Sequence, residues 1–218
     1  MIKQNKIVVE KALSQPSRNS TYSRLIAVDP SLTCSGWALL ELKSERLIGT
    51  GKVRSLPPKY ALVHRLADLQ ERLYRLYEAL SLGSTDILIC EAPTTMRDPK
   101  AALKVEQVRC IFETTARTRK ILVPGRINPR TVHSEVLKMR GAQLSRNIVK
   151  ETARTVVSNL YGSDLLAIGL PATNLELKKH QDIVDAILIG HVSVAKLKQA
   201  ERTQTNIVQC FLESRKRV

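Results

Sequence analysis

The stretch LIAVDPSLTCSGWALLEL, residues 25–42, decides the fold expected for this chain. Two apolar runs flank a short loop of small and polar residues, and one carboxylate, Asp29, closes the first run. Short apolar runs bounded by turn residues are typical of buried strands. The stretch therefore predicts strand, turn and strand. It leaves two interpretations of Asp29 open: a residue that starts a turn before Pro30, or the first ligand of a metal site.

Outward from this stretch, apolar runs alternate with helical patterns. Strands are predicted over residues 25–28, 36–42, 46–53 and 87–90, with a further short strand within 120–129. Helices are predicted over residues 62–80, 99–119, 131–139, 145–159 and 182–198. Only the first three strands are joined tightly enough to be antiparallel. The order therefore predicts an α/β fold with a mixed sheet flanked by helices.

Three regions are expected from the composition along the chain. Residues 1–22 are predicted to form a flexible basic and polar N-terminal extension, residues 23–198 one globular domain, and residues 199–218 a polar C-terminal tail. The 218-residue length suits one domain of ordinary size.

The charge balance is the first indication of function. The chain carries 35 Lys and Arg against 20 Asp and Glu, a formal net charge of +15. Such an excess favours a polyanionic partner, because each neutralised phosphate releases condensed counterions. Nucleic acid is therefore the leading partner class. No apolar stretch approaches the roughly 20 residues of a membrane span, and no phosphate-binding glycine loop is present, which disfavours a P-loop enzyme.

Four acidic residues stand where they can converge. Asp29 and Glu91 each follow the apolar core of a predicted strand, at the sheet edge where ligands bind in open α/β sheets. Asp182 and Asp185 are three residues apart, on one face of the last predicted helix. Carboxylates brought together repel one another unless divalent cations lie between them. Hard cations such as Mg²⁺ or Mn²⁺ prefer oxygen ligands, and two of them can promote phosphodiester cleavage.

Each carboxylate also has an ordinary structural interpretation. Asp29 suits a turn before Pro30, and Glu91 suits a solvated charge at a strand end. Asp182 suits the N-cap of the last helix, and Asp185 suits its first turn, where the helix dipole favours negative charge. Taken alone each signal is weak, and the joint arrangement is what favours a metal site.

Four motifs in this order resemble a known family. They are AVDPSLTCSGWALL, RLADLQERLYRLYEAL leading to TDILICEAP, AALKVEQVRCI, and HQDIVDAILIG. Together they resemble the RuvC family of Holliday-junction resolvases, in the RNase H-like superfamily. The resemblance covers residues 25–196 and lies in the order and spacing of the motifs.

The resemblance implies a fold, a chemistry and a partner. It implies an RNase H-like fold, with a five-stranded mixed sheet flanked by helices, and a homodimer. Asp29, Glu91, Asp182 and Asp185 would be catalytic residues and ligands of two Mg²⁺ or Mn²⁺ ions. The activity implied is paired, symmetric cutting of four-way DNA junctions that leaves 5′-phosphate ends, in DNA recombination and repair. The expected location is cytoplasmic or nucleoid-associated, in bacteria or phage, with organellar targeting left open.

Candidate DNA contacts come from the same resemblance. The segment after Glu91 usually carries an aromatic wedge, which is missing here; Met96 is either the wedge or a loop residue that covers the site. His133 stands where a lysine is common. A solvated charged face is the alternative for the basic candidates. The full set of candidates is Met96, Arg97, Lys100, His133, Lys138, Arg140 and Arg146.

The sequence leaves other functions open. A nuclease of the same fold could act on another branched DNA, an RNA–DNA hybrid or a ribosomal RNA precursor. A non-catalytic nucleic-acid-binding protein of this fold is a second possibility, although a pure binder gains nothing from carboxylates that face phosphates. An actin-like sugar kinase shares the strand and acidic opening, but the chain is too short for two such lobes.

Overall fold

A five-stranded mixed sheet, in the order β3-β2-β1-β4-β5, forms the centre of the protein. The structure is a computed structural model and describes residues 22–93, 98–139 and 145–211. The strands are β1 Arg24–Asp29, β2 Cys34–Glu41, β3 Leu47–Arg54, β4 Asp86–Glu91 and β5 Arg126–Ile127. The helices are α1 Leu62–Ala79, α2 Pro99–Thr118, α3 Pro129–Glu135, α4 Arg146–Ala167, α5 Asn174–Leu177, a 3-10 turn Lys178–His180, α6 Gln181–Thr203 and α7 Ile207–Phe211.

The strand directions follow from the lengths of the connections. β1, β2 and β3 are joined by short turns and pair antiparallel. The chain then crosses over through α1, so that β4 pairs parallel to β1, and β5 pairs parallel to β4 after a crossover through α2. The parallel pairing brings the carboxyl ends of β1 and β4 to the same edge of the sheet.

Helices cover both faces of the sheet. In β1, Leu25 and Ala27 belong to a core shared with α4 and α6, while Ile26 and Val28 face the opposite core, which α1 and α2 complete. This alternation is the two-residue period of a strand, and burial on both faces explains why β1 is a continuous apolar run.

Helix α6 lies close against β1 and β2. A Cβ built on Gly190 would lie 2.5 Å from Leu40 Cδ1 and 3.3 Å from Ala27 Cβ. The glycine therefore allows an approach that a larger residue would prevent. The predicted strands and the last predicted helix are confirmed, and α6 packs on the face of β1 and β2.

Three predicted helix boundaries differ from the structure. The prediction that the third helix ends at residue 139 is wrong, because α3 ends at Glu135 and Lys138 has a positive φ of 55°, which a right-handed helix does not allow. The prediction that the fourth helix ends at residue 159 is wrong, because α4 continues to Ala167. The burial of Tyr161 and Leu165, and hydrogen bonds to the Asp164 carboxylate from Arg46 Nε and Leu47 N, stabilise the added turns. Beyond residue 198, α6 runs on to Thr203, and Phe211 of α7 is buried. Much of the predicted polar tail is therefore helical.

Two further findings concern the described residues as a set. None of their helices is both long and apolar enough to cross a membrane. All four cysteines are free thiols, and Cys90 is buried within β4, in keeping with the apolar run that surrounds it.

Candidate active site

A row of three residues crosses one end of the sheet. Asp29, the last residue of β1, pairs with Gly36 of β2, and Gly36 pairs with Lys52 of β3. Residues directly opposite one another on neighbouring strands point to the same face. The carboxylate of Asp29 and the ammonium group of Lys52 therefore lie on either side of Gly36, which has no side chain.

Helix α6 fills the space above that position. A Cβ built on Gly36 would lie 1.8 Å from the backbone carbonyl oxygen of Asp182. The first turn of α6 consequently lies on β2, and Asp182 and Asp185 lie beside the end of β1. On the other side of β1, Glu91 directly follows Cys90, which pairs with Val28. Two strand ends and one helix turn thus bring the four predicted carboxylates to one edge of the sheet.

The charges of these carboxylates act on one another. Burial raises the pKa of Asp29 well above its usual range, and the negative charges of Glu91, Asp185 and Asp182 raise it further. Raised pKa values at a cleft are typical of functional sites, because a structural carboxylate is normally stabilised by a cation or by hydrogen bonds. In the described residues no side chain forms a salt bridge with Asp29 and no donor reaches its carboxylate oxygens, so the turn-starting interpretation is unsupported.

The pKa values of Glu91 and Asp185 are also raised. Burial raises the pKa of Glu91 to about 7, the charge of Asp185 adds to the rise, and Arg109 opposes it. Burial also raises the pKa of Asp185 to about 6, where a hydrogen bond from Gln181 and the charges of Lys150 and Arg146 oppose the rise. Glu91 is therefore not the freely solvated charge that the alternative interpretation expected.

Two hydrogen-bonded groups hold the helix carboxylates. Gln181 Nε2 donates to Asp185 Oδ1 at 2.8 Å, and Arg154 Nη1 donates to Gln181 Oε1 at 3.2 Å. Asp182 Oδ2 accepts from Cys34 Sγ at 3.3 Å and lies 3.2 Å from Lys52 Nζ. His180, not Asp182, occupies the N-cap position of α6, so the N-cap interpretation of Asp182 is wrong.

Arg109 is a site residue that the sequence prediction missed. Its side chain on α2 is buried, Nε donates to the Glu91 carbonyl oxygen at 2.6 Å, and Nη1 pairs with Glu106. Its charge opposes the rise in the pKa of both Asp29 and Glu91. The sequence did contain one indication of this role. Arg109 falls beside Val108 and Phe112 on the apolar side of the predicted helix, and a charged side chain that is buried there needs a partner of opposite charge or a hydrogen-bond acceptor.

A cavity of about 240 Å³ opens beside the carboxylates. Its walls include Glu91, His133, Arg146, Lys150, Gln181 and Asp185. The lining combines two carboxylates with the basic side chains of Arg146 and Lys150, which suits a phosphate group held next to a cation site. Two of the predicted DNA contacts, His133 and Arg146, are therefore part of the site, together with Lys150, which the prediction did not name.

The other predicted DNA contacts are not part of this cavity. Lys100 is exposed near the start of α2, where its backbone N–H is bonded to the side chain of Asp98. Lys138 is exposed after α3 and has a positive φ of 55°. Met96, Arg97 and Arg140 lie outside the described residues. The roles of all five stay predictions.

The carboxylates fit a hard divalent cation in their donor chemistry. All four supply oxygen ligands, and their mutual repulsion is the feature that a bound cation would relieve. Within the described ranges, however, no three His, Cys, Asp or Glu side chains are already arranged to hold a metal ion. Asp182 and Asp185 are instead bonded to protein partners. The assignment of the four carboxylates as metal ligands therefore stays a prediction.

Comparison with known sequences reveals partial relatives. No model of a known protein family matches the chain. Over 134 residues the chain is 34% identical to the crossover junction endodeoxyribonuclease RuvC of Chelativorans sp. (strain BNC1), covering 59% of this chain and 63% of that protein. Over 90 residues it is 34% identical to the RuvC protein of Beijerinckia indica, covering 40% and 49%. The chain thus spans less than two thirds of the length of these curated relatives.

Comparison with solved structures concerns the fold. The structure of Thermus thermophilus RuvC in complex with a Holliday junction substrate superposes with a TM-score of 0.61 at 14% identity, covering 82% of this chain and 97% of that chain. A second structure of Thermus thermophilus RuvC gives a TM-score of 0.59 with the same coverage. These matches confirm the predicted RNase H-like fold, a five-stranded mixed sheet flanked by helices. The chain is therefore similar to RuvC proteins over part of its sequence, and its fold is similar to that of solved RuvC structures.

Proposed function

We propose that the protein is a metal-dependent endodeoxyribonuclease that resolves four-way DNA junctions. The observation that carries the proposal is the convergence of two neighbouring strand ends and the first turn of α6, which brings Asp29, Glu91, Asp182 and Asp185 to one edge of the sheet. This edge holds the predicted catalytic residues of the RuvC resemblance. Two curated relatives are named as crossover junction endodeoxyribonucleases, which supports the same substrate class.

The four carboxylates would hold the cations. Asp29 is the central ligand in this proposal, because β1 lies between β4, which ends at Glu91, and β2, on which the first turn of α6 lies. Two Mg²⁺ or Mn²⁺ ions would supply stabilisation of negative charge on the attacking and leaving oxygens of the phosphodiester. Glu91 and Asp185 must release their protons before they can serve as ligands, since only the ionised carboxylate binds a hard cation well.

The basic side chains that line the cavity would bind the DNA backbone. Arg146 and Lys150 lie one turn apart on α4, and the charge of each acts on Asp185. They are therefore close enough to the carboxylates to hold the phosphate that is cut. His133 lines the same cavity. The net charge of +15 would add a sequence-independent attraction to DNA along the rest of the surface.

The remaining parts of the proposal concern assembly and product. A four-way junction is two-fold symmetric, so paired cuts call for two active sites related by the same symmetry, as a homodimer provides. The expected products are nicks with 5′-phosphate ends that a ligase can seal. The expected location is the cytoplasm, in association with chromosomal DNA.

Three DNA substrates test this function directly. The protein is incubated in Mg²⁺ with a synthetic four-way junction, a flapped duplex and an RNA–DNA hybrid duplex, with EDTA as the control. The proposal expects symmetric nicks in the junction that ligase seals, and much slower cutting of the other two. Equal cutting of all three would contradict junction specificity. Tight binding of the junction without any cutting would instead favour a non-catalytic DNA-binding protein.

A further inference from the structure

Lys52 makes two contacts that neither the fold nor the proposed chemistry requires. It lies on β3, the edge strand of the sheet, yet its side chain is only 18% exposed. Its Nζ lies 3.2 Å from Asp182 Oδ2 and donates to the Lys179 carbonyl oxygen at 3.1 Å. One ammonium group thus joins the edge strand both to a predicted metal ligand and to the turn that leads into α6.

The register of the sheet explains how Lys52 reaches this position. Asp29, Gly36 and Lys52 form one row across β1, β2 and β3. Because Gly36 has no side chain, the backbone of Asp182 lies directly on the middle of the row. Asp182 therefore stands between an anion on one side and a cation on the other. The repulsion from Asp29 and the attraction to Lys52 favour the same side-chain orientation.

The contacts on Asp182 are confined to one of its two oxygens. Lys52 Nζ and Cys34 Sγ both contact Oδ2, and among the described residues no donor reaches Oδ1. One oxygen is therefore fixed by the protein while the other stays available to a ligand. Groups that hold a metal-binding carboxylate in this way typically contribute 10–100-fold to metal affinity.

We propose that Lys52 is a positioning residue that fixes Asp182 for cation binding. This inference rests on the proposed function, since it takes Asp182 as a metal ligand. Lys52 acts through Oδ2 and through the Lys179 carbonyl oxygen, so it restrains both the side chain and the start of α6. A simple surface ion pair would contribute little, because exposed pairs are weak and solvent screens them.

Mn²⁺ binding to the full chain tests the inference without any need for catalysis. The dissociation constant is measured by calorimetry for the wild type, Lys52→Met and Lys52→Arg, with Lys43→Met as the matched control. Lys43 is an exposed lysine in the turn between β2 and β3, at the far end of those strands. Lys52→Met is expected to weaken Mn²⁺ binding about 10-fold. Lys52→Arg is expected to restore most of the affinity, and Lys43→Met is expected to match the wild type.

A second variant keeps the inference testable if Lys52→Met does not fold. Cys34→Ala removes the other donor to Asp182 Oδ2 and leaves the lysine in place. It is expected to weaken Mn²⁺ binding by a smaller factor than Lys52→Met. Thermal unfolding in EDTA establishes that each variant is folded before its metal affinity is compared.

The outcomes separate this inference from the proposed function. If the wild type cuts junctions and Lys52→Met binds Mn²⁺ with the affinity of the wild type, the positioning role of Lys52 is overturned and the proposed function is not. Tighter binding by Lys52→Met would also overturn it, since Lys52 would then compete with the cation. A wild-type protein that neither binds Mn²⁺ nor cuts any junction would overturn the proposed function, and the role of Lys52 with it.

Discussion

Gly36 and Asp182 are in direct backbone contact, although 146 residues separate them in the sequence: a Cβ at Gly36 would lie 1.8 Å from the Asp182 carbonyl oxygen. Gly36 is also the residue that pairs with Asp29. This one contact therefore fixes the distance between the carboxylate that ends β1 and the pair that begins α6. The geometry of the candidate site depends on the absence of a single side chain.

Gly36→Ala is expected to displace the start of α6. Real Cβ atoms do not approach backbone to within 3.0 Å, so the helix or the strand must shift. We expect a loss of about 1–3 kcal/mol in the free energy of unfolding, the range for overpacking, together with weaker Mn²⁺ binding. Gly83→Ala is the control, because nothing lies within 4 Å of a Cβ there. Equal stability of the two variants in urea unfolding would argue against close contact at Gly36.

The raised pKa of Glu91 predicts a pH effect on the metal-free protein. The folded carboxyl keeps its proton up to about pH 7, whereas the usual value is 4.5. Between those values the folded state binds more protons than the unfolded state, so this group makes stability fall as pH rises. The Gln side chain in Glu91→Gln cannot lose a proton, so the variant lacks the fall in stability with pH that Glu91 causes.

Urea unfolding in EDTA from pH 4.5 to pH 7.5 measures this effect. The stability of Glu91→Gln relative to the wild type is expected to increase across the interval and then to level off. Mn²⁺ at pH 7.5 is expected to stabilise the wild type more than the variant. A stability difference that does not change with pH would show that Glu91 titrates normally.

Arg109→Met is expected to shift the pH dependence of metal binding upward. The Arg109 charge opposes the rise in the pKa of both Glu91 and Asp29, so its removal lets both values rise further. The variant also loses the part-buried hydrogen bond to the Glu91 carbonyl oxygen, at a cost of about 1 kcal/mol in stability. The measurement is the pH midpoint of Mn²⁺ binding. Arg75→Met, which removes an exposed arginine paired with Glu71 on α1, is the control and is expected to leave the midpoint unchanged.

The sequence predicted the parts of the site that local patterns encode. Asp29 and Glu91 follow apolar runs, and such runs identify buried strands and their ends. Asp182 and Asp185 are three residues apart within an apolar helical pattern, so their common face is also a local property. The fold class and the grouping of these four residues could therefore be predicted from the amino-acid sequence.

The sequence did not predict the residues whose roles depend on long-range register. Lys52 reaches Asp182 only because β3 pairs with β2 in one particular register. Arg109 reaches Glu91 because α2 packs on the sheet beside β4. In α1 the structure buries Arg65, whose Nε donates to the Leu56 carbonyl oxygen. No short-range periodicity encodes such partners.

Cleavage of a four-way junction in Mg²⁺ by the wild type and by Asp29→Asn tests the catalytic role of the four carboxylates most directly. Asparagine preserves the size of the side chain but removes the charge, so the fold and the basic surface should be retained. We expect Asp29→Asn to bind the junction with an affinity near that of the wild type and to cut it at least about 100-fold more slowly, the order expected when a group that stabilises transition-state charge is lost. Cutting by Asp29→Asn at the wild-type rate would contradict the proposed site.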